Sequence, residues 1–456
     1  MNIRIYFKRC CLIFVCLLWF GTLILRAADR YVATNGTDSG TCENWSTAAS
    51  NIQYALNLAT NAYDTVWVSN GVYQTGGVTN WPAGSVLTNR IAITTAYVTV
   101  RSANNDPANT IIKGVWDSVT TNGASAVRGV YMISGSSLIG FTITNCATLS
   151  TNVSTLAENL IGGGLYASGG TISNCVIINN RSAGETNSYN PKGGGGAYGG
   201  TYFNCTLIGN STIRFGGAAR DATVFSNCTI ACNSANGGCG GVYAGSLYNC
   251  VVISNTATGL GGGSYSCSLL YNCTFAYNVA SSYGGGAMYP TLARNCLFYG
   301  NKGGAVALCT GNKIESCTIV GNSSGVDNSP SQAAETNIVL NSIIYSNETF
   351  NWYQRPDIAY FAFSNSCTSP TNSAGWVGAG NTTNNPVLVD FGTGYGTNHV
   401  KGNYRLAPSS PCINAGIYQS WMTNWVDLDG RTRIRYGRVD MGAYERINRC
   451  TMCGFH

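Results

Sequence analysis

Cysteine and asparagine are the residues whose types and spacing could do chemistry in this chain. Asn-Cys recurs in "NCTLIGN" (204–210), "NCTIACN" (227–233), "NCVVISN" (249–255), "NCTFAYN" (272–278) and "NCLFYGN" (295–301). The full column is Cys175, Cys205, Cys228, Cys250, Cys273, Cys296 and Cys317. A metal site needs several ligands converging on one point; these thiols come one per repeat. Only His399 and His456 are available for Ser-His-acid catalysis or a His-based zinc site. Sugar hydrolysis needs two carboxylates about 5–10 Å apart. Glu185, Asp221, Glu315, Asp327 and Glu335 fall at different positions of the repeat, so no such pair is expected. A calcium-dependent lyase would need clustered carboxylates beside an Arg or Lys base. The best local pair is Arg220–Asp221 in "GGAARDATVF", read as two solvated turn residues. "DLDG", with Asp427 and Asp429, lacks the further ligands of an EF-hand loop. With Arg431, Arg433, Arg435, Arg438, Asp440 and Glu445 it is expected to form a salt-bridged lid over the last repeat. "CTMC" (450–453) reads as a local disulfide or a frayed end.

Those residues must be positioned by a repeating element. Most Cys-to-Cys steps are 21 to 23 residues; the first is 30 and contains the insertion "AGETNSYNPK". Two residues after each Cys stands Ile177, Leu207, Ile230, Val252, Phe275, Phe298 or Ile319. That is period-two alternation, so each segment is a strand with the Cys and the large apolar residue facing in. Each repeat closes on Asn180, Asn210, Asn233, Asn255, Asn278, Asn301 or Asn322, and its other half opens with a Gly cluster. The fold expected is all-β: a single-stranded right-handed parallel β-helix of about 22 residues per coil. Asn suits the corners because it tolerates left-handed backbone and its amide can bond the same amide one coil away. Neighbouring coils hold equivalent Cβ atoms near 4.8 Å apart, outside the usual disulfide range, so the thiols are expected to be free, buried and hydrophobe-like. Residues 50–63 place Ile52, Leu56, Ala59 and Tyr63 on one helical face after Ser50 as N-cap, a short helix to cover the first coil.

Composition agrees with strands and turns. Charged residues are 10%, against roughly 25% in ordinary domains. The net charge of +6 is not clustered mid-chain, so no nucleic-acid partner is expected. Arg4, Lys8 and Arg9, then the apolar run 10–25 and small residues Ala27 and Ala28, read as a secretory signal peptide. The expected division is 1–28 signal peptide, 29–160 N-terminal cap and first coils, 161–350 regular repeats, and 351–456 last coils with a C-terminal cap. No transmembrane span is expected after the signal.

"RYVATNGTDSGTCENWSTAASNIQYALNLATNAYDTVWVSNGVY" resembles the opening segment of secreted β-helix proteins of the pectate-lyase-like superfamily. "GGAM", "FAYN" and "FYGN" resemble the repeats of polymorphic outer-membrane proteins. "NPVLVD", "GNYRLAPSSPCINAG" and "VDLDGRTRIRYGRVDMGAYE" are similar to the choice-of-anchor Q domain. The resemblance implies a secreted or surface β-helix; proteins of that type often continue into an anchoring tail, and this sequence runs out at "RINRCTMCGFH". It does not imply one activity.

The function expected is an adhesin or extracellular scaffold, a monomer meeting a polysaccharide or another cell surface outside the cell. The alternatives are a pectate-lyase-like polysaccharide lyase, the one reading that would use calcium, and a non-catalytic glycan-binding module; no other cofactor is expected. Tyr166, Tyr198, Tyr243 and Tyr265 are expected to stack in the core, with Ala219, Met288 and Val306 in the same slot. Arg220, Asp221 and Tyr289 are the residues expected to contact a ligand.

Overall fold

The computed structural model describes residues 27–185, 192–328, 335–354, 360–369 and 378–447. "CTMC" and, apart from Ala27 and Ala28, the expected signal peptide lie outside the described residues. The chain winds as a right-handed parallel β-helix. A 20-stranded sheet, a 12-stranded sheet and a short 5-stranded sheet run along the rod, parallel throughout.

One coil shows how the sequence makes the turn. Ala197–Phe203 lies in the long sheet, Thr206–Ile208 in the second and Ser211–Thr212 in the short one. Asn204, at φ +52°, makes the first corner, and Gly209, at φ +65°, the next. The left-handed corner therefore belongs to the residue before each Cys, Asn in most coils and Ser316 before Cys317, and to the residue before each closing Asn. The closing Asn itself has a different task. Between corners, alternation drives Cys205 and Leu207 into the bore while Thr206 and Ile208 face out. Successive coils stack like on like: Phe275 on Phe298 at 4.9 Å, Tyr202 on Phe225 at 4.7 Å.

The closing asparagines form a continuous buried ladder. Asn278 Oδ1 accepts from Asn255 N and Asn255 Nδ2, both at 3.0 Å. Its own Nδ2 donates to Val252 O at 2.9 Å and to Asn301 Oδ1 at 3.0 Å. The same bonds recur from Asn180 through Asn210, Asn233, Asn255, Asn301 and Asn322, and the ladder continues to Asn347 and Asn351.

The cysteines do more than fill space. The thiols of the column, Cys175, Cys205, Cys228, Cys250, Cys273, Cys296 and Cys317, are buried, and all the described cysteines are free of disulfides. Cys273 Sγ accepts from Cys250 N at 3.4 Å and donates to Tyr271 O at 3.1 Å. Cys205 and Cys228, and Cys296 and Cys317, repeat the amide-to-sulfur contact. Ser342 fills the next slot with the same bonds: its Oγ accepts from Cys317 N at 3.1 Å and donates to Leu340 O at 2.8 Å. The slot thus holds a small group that both accepts and donates between coils. Burial pushes the Cys175 and Cys267 thiols up to about 12, keeping them protonated.

The helix spans Ile52–Leu58 and buries Ile52, Ala55 and Leu56 against the first coils. Asn51 is its N-cap, accepting from Gln53 N at 2.8 Å. Ser50 instead bonds Asp38, and Tyr63 lies beyond the helix, exposed. The C-terminal segment is not a lid over the last coil. It folds back across the outward side of the second sheet. Ala443 N donates to Thr318 Oγ1, Gly442 N to Asn341 O and Asn295 Nδ2 to Val426 O. Leu297, Tyr299, Val320 and Ile343 pack there beneath Leu388, Tyr404, Leu406 and Met441. The cause is composition: these outward slots are apolar here and need cover.

Two outcomes follow. Asn278→Ala strands Asn255 N and one Asn255 Nδ2 donor, so denaturant unfolding should show a loss of about 3 kcal/mol. Cys273→Ser should stay close to wild type, whereas Cys273→Ala, which leaves Cys250 N without an acceptor, should lose about 1–2 kcal/mol in the same measurement; a hydrophobe-only role would give the opposite order.

Candidate functional site

Strand parity decides which aromatics meet the outside. Leu165 and Ala167 are buried, so Tyr166 between them points out. The tyrosine slot therefore faces outward, contrary to the core position expected from the sequence. Register runs Tyr131, Tyr166, Tyr198, Arg220, Tyr243, Tyr265 and Met288, one per coil. Ala307, Asp327 and Tyr353 continue it. Ala219 and Val306 stand one place away, in the inward slot. The reason is that Ala218 fills the last position of its Gly cluster, so "GGAAR" aligns with "GGGAY" residue for residue.

The rings pack on one another. Tyr131 and Tyr166 stack at 5.6 Å and 14°, Tyr166 and Tyr198 at 5.3 Å and 18°. Tyr243 and Tyr265 lie 5.0 Å apart, and Tyr289 meets Tyr265 at 5.6 Å. Such stacks turn ring faces toward one another and ring edges toward solvent. Arg220 replaces a ring in the middle of the column. Its guanidinium lies 4.2 Å from the Tyr243 centroid and 5.8 Å from that of Phe215.

Arg220 is fully buried, so it is not a solvated turn residue. Its Nε lies 3.4 Å from Asp221 Oδ2, and Asp221 also hydrogen-bonds the Tyr198 hydroxyl. Asp221 is exposed at a left-handed corner, φ +53°, and Tyr289 sits half-buried at φ +51°. The structure thus brings Arg220, Asp221 and Tyr289 to one face, with the cation covered. Burial raises the Tyr198 phenol, and lifts that of Tyr265 to about 12, so both remain hydroxyl donors at ordinary pH.

Walls flank the column. Leu87, Leu149, Leu160 and Ile161 pack beside Tyr166 and Tyr198. Arg128, also fully buried, ties this wall down by donating to Gly162 O at 3.0 Å and Ile161 O at 2.9 Å. Phe215 borders Tyr243 and Tyr265. At the other end a cavity of about 230 Å³ opens among Tyr283, Ser324, Asp327, Phe350 and Tyr353.

The remaining carboxylates stay apart. Glu315 pairs with Arg294 at 2.7 Å on a different column. Among the described residues no group of three His, Cys, Asp or Glu side chains is placed to share a metal ion. His399 is wedged between Gly394 O at 2.9 Å and the Tyr404 hydroxyl at 2.7 Å. Asp427 serves the backbone instead of a cation: it accepts from Asp429 N, Arg431 N and Glu445 N. Asp429 bonds Arg405 at 2.6 Å and Arg431 at 3.1 Å, and Arg433 pairs with Glu445 at 3.3 Å. Arg435 and Arg438 meet only through a backbone bridge. Sequence reasoning missed Tyr131 and Phe215. Tyr131 carried a signal, standing between Val130 and Met132 in an alternating run; Phe215, on a turn, carried none.

A right handed beta helix region model matches residues 213–373. No curated protein matches the sequence. Among solved structures, pectate lyase Pel9A aligns at 15% identity over 92% of this chain and 96% of its own, TM-score 0.45. A rhamnogalacturonan lyase aligns at 11% identity over 78% and 88%, TM-score 0.39. A polygalacturonase from Erwinia carotovora ssp. carotovora aligns at 13% over 74% and 95%, TM-score 0.34.

Glu445 gives a pH test of the C-terminal segment. Burial lifts its carboxyl to about 8, against the pull of Arg433. The folded state then holds a proton that the unfolded chain has released, between about pH 4.5 and 8. Stability from this group is greatest below that window and falls as pH rises through it. Glu445→Gln should flatten that slope in unfolding measured from pH 5 to 8; an unchanged slope would exclude Glu445 as its source.

Proposed function

We propose that this chain is an extracellular β-helix that holds a polysaccharide along the tyrosine column, as an adhesin or scaffold at a cell surface. The observation that carries this is the column itself: one outward side chain per coil, advancing about 4.8 Å each time, beside a fixed wall. That advance is comparable to the length of one sugar unit. The rings hold one another in place, so little side-chain freedom remains to be lost on binding. Their edges and hydroxyls offer hydrogen bonds along a line, suited to an extended polymer. Arg220, the base a lyase would take from this face, is covered by Phe215 and Tyr243 and committed to Asp221, which favours holding over cleavage.

The test is sedimentation with a panel of insoluble polysaccharides, run with and without calcium, while the absorbance of unsaturated products is followed. Retention without product is expected, and Tyr265→Ala together with Tyr198→Ala should weaken it about tenfold. Product that disappears in Arg220→Ala would establish the lyase reading instead, and retention indifferent to the tyrosine changes would remove the column from the site.

A further inference from the structure

The other half of the long sheet carries a second outward column, and at the N-terminal end it is aromatic. Val32, Val66, Val68 and Val100 are fully buried, so the residues alternating with them must point out. Register aligns Tyr31, Trp67 and Arg101 on adjacent strands. The Arg101 guanidinium lies 4.5 Å from the Trp67 ring, and Trp67 Nε1 donates to Asp29 Oδ1 at 2.9 Å.

A turn supplies the opposite wall. Asn44 caps the one-turn helix Trp45–Thr47, accepting from Ser46 N and Thr47 N. That sets Trp45 edge-on against Tyr31 at 4.8 Å and 68°, with the indole still 47% exposed. The corner residues Asn70 and Asn104 close the third side. Asn70 Oδ1 accepts from Asn104 Nδ2 and Thr110 Oγ1, both at 3.3 Å, leaving the Asn70 Nδ2 donor unclaimed among the described residues. The open cleft between these walls is about 670 Å³, within the range of small-ligand sites.

We infer that this cleft binds a neutral pyranose saccharide. The exposed Trp45 indole, brought in by a turn, offers an apolar face to sugar C–H groups, and carboxamides offer the donor and acceptor that hydroxyls need. The charges balance: Asp29 and Arg101 both engage Trp67, and Arg30 pairs with Glu43 at 3.3 Å. No net field is left to draw a uronate. Nothing here depends on the tyrosine column, which lies on the other half of the sheet.

The test is a titration of tryptophan fluorescence in the full chain, using xylohexaose, cellohexaose, mannohexaose and hexagalacturonate as probes. At least one neutral hexaose should bind with Kd below about 1 mM. Trp45→Ala and Asn70→Ala should each weaken it at least tenfold, with unfolding unchanged, and Trp45→Phe should retain most of it. Tyr265→Ala should leave it intact, which separates this site from the tyrosine column. Binding of hexagalacturonate alone, no binding of any neutral hexaose, or neutral binding insensitive to Trp45→Ala would each overturn the assignment.

Discussion

The buried asparagine amide is the interaction on which the rod depends. Each carboxamide must reach the next one coil away, which fixes the rise and the register together. It also dictates its surroundings. A Cβ at Gly164 would lie 2.9 Å from the Asn180 amide carbon and 2.5 Å from Gly196 O, and one at Gly263 would lie 3.0 Å from that of Asn278 and 2.5 Å from Gly286 O. The Gly-rich half of each repeat is therefore the space the ladder needs. Ala218 and Ala305 occupy the same slot in two coils, so the constraint limits size there without demanding glycine everywhere. The Cys column is a second ladder, weaker per bond, that satisfies the amide at the neighbouring corner.

The same translation that stacks the core also stacks the surface. A residue placed outward in one coil has its counterpart directly above and below, about 4.8 Å away. Surface side chains thus form lines along the rod. In one line the rings stack and Arg220 completes the stack as a flat cation; in another, Trp67 lies against Arg101. Stacking on neighbours is what makes these half-buried side chains rigid. It also sets what they can do: an in-register ring offers its edge, while a ring brought in by a turn, such as Trp45, can offer a face.

The repeat, its period, the parallel β-helix and the inward Cys and apolar columns were legible because each rests on a period-two pattern repeated many times. Parity of the tyrosine slot was misread for a local reason. Ala218 stands where most coils have Gly, which slid Arg220 by one place and exchanged inside for outside. The left-handed corner was assigned to the wrong Asn because both columns carry Asn and only the closing column is buried along its whole length. Segments used once have no such redundancy. The path of residues 388–447 and the position of Phe215 depend on packing that no period announces. The Arg220–Asp221 pair was visible as a pair, but its burial comes from Phe215, several residues earlier on a turn.

The C-terminal segment shows where the rod leaves its surface open. It covers the outward slots of the second sheet from Ala276 to Cys367, where Tyr299 and Val320 stand in one outward column and Leu297 and Ile343 in the other. Upstream the corresponding slots mix Thr206 and Thr229 with Val176, Ile178, Ile208 and Val251, and Val251 there is exposed. The chain thus shields the stretch of this face that carries Leu297, Tyr299, Val320 and Ile343. The long sheet is handled differently, by walls at the margin of the aromatic line that bury Arg220 and leave Tyr166, Tyr198, Tyr243 and Tyr265 partly exposed. Rings braced and bordered in this way form a line that runs with the rod, because translation along the helix axis is the one symmetry that all of its side chains share.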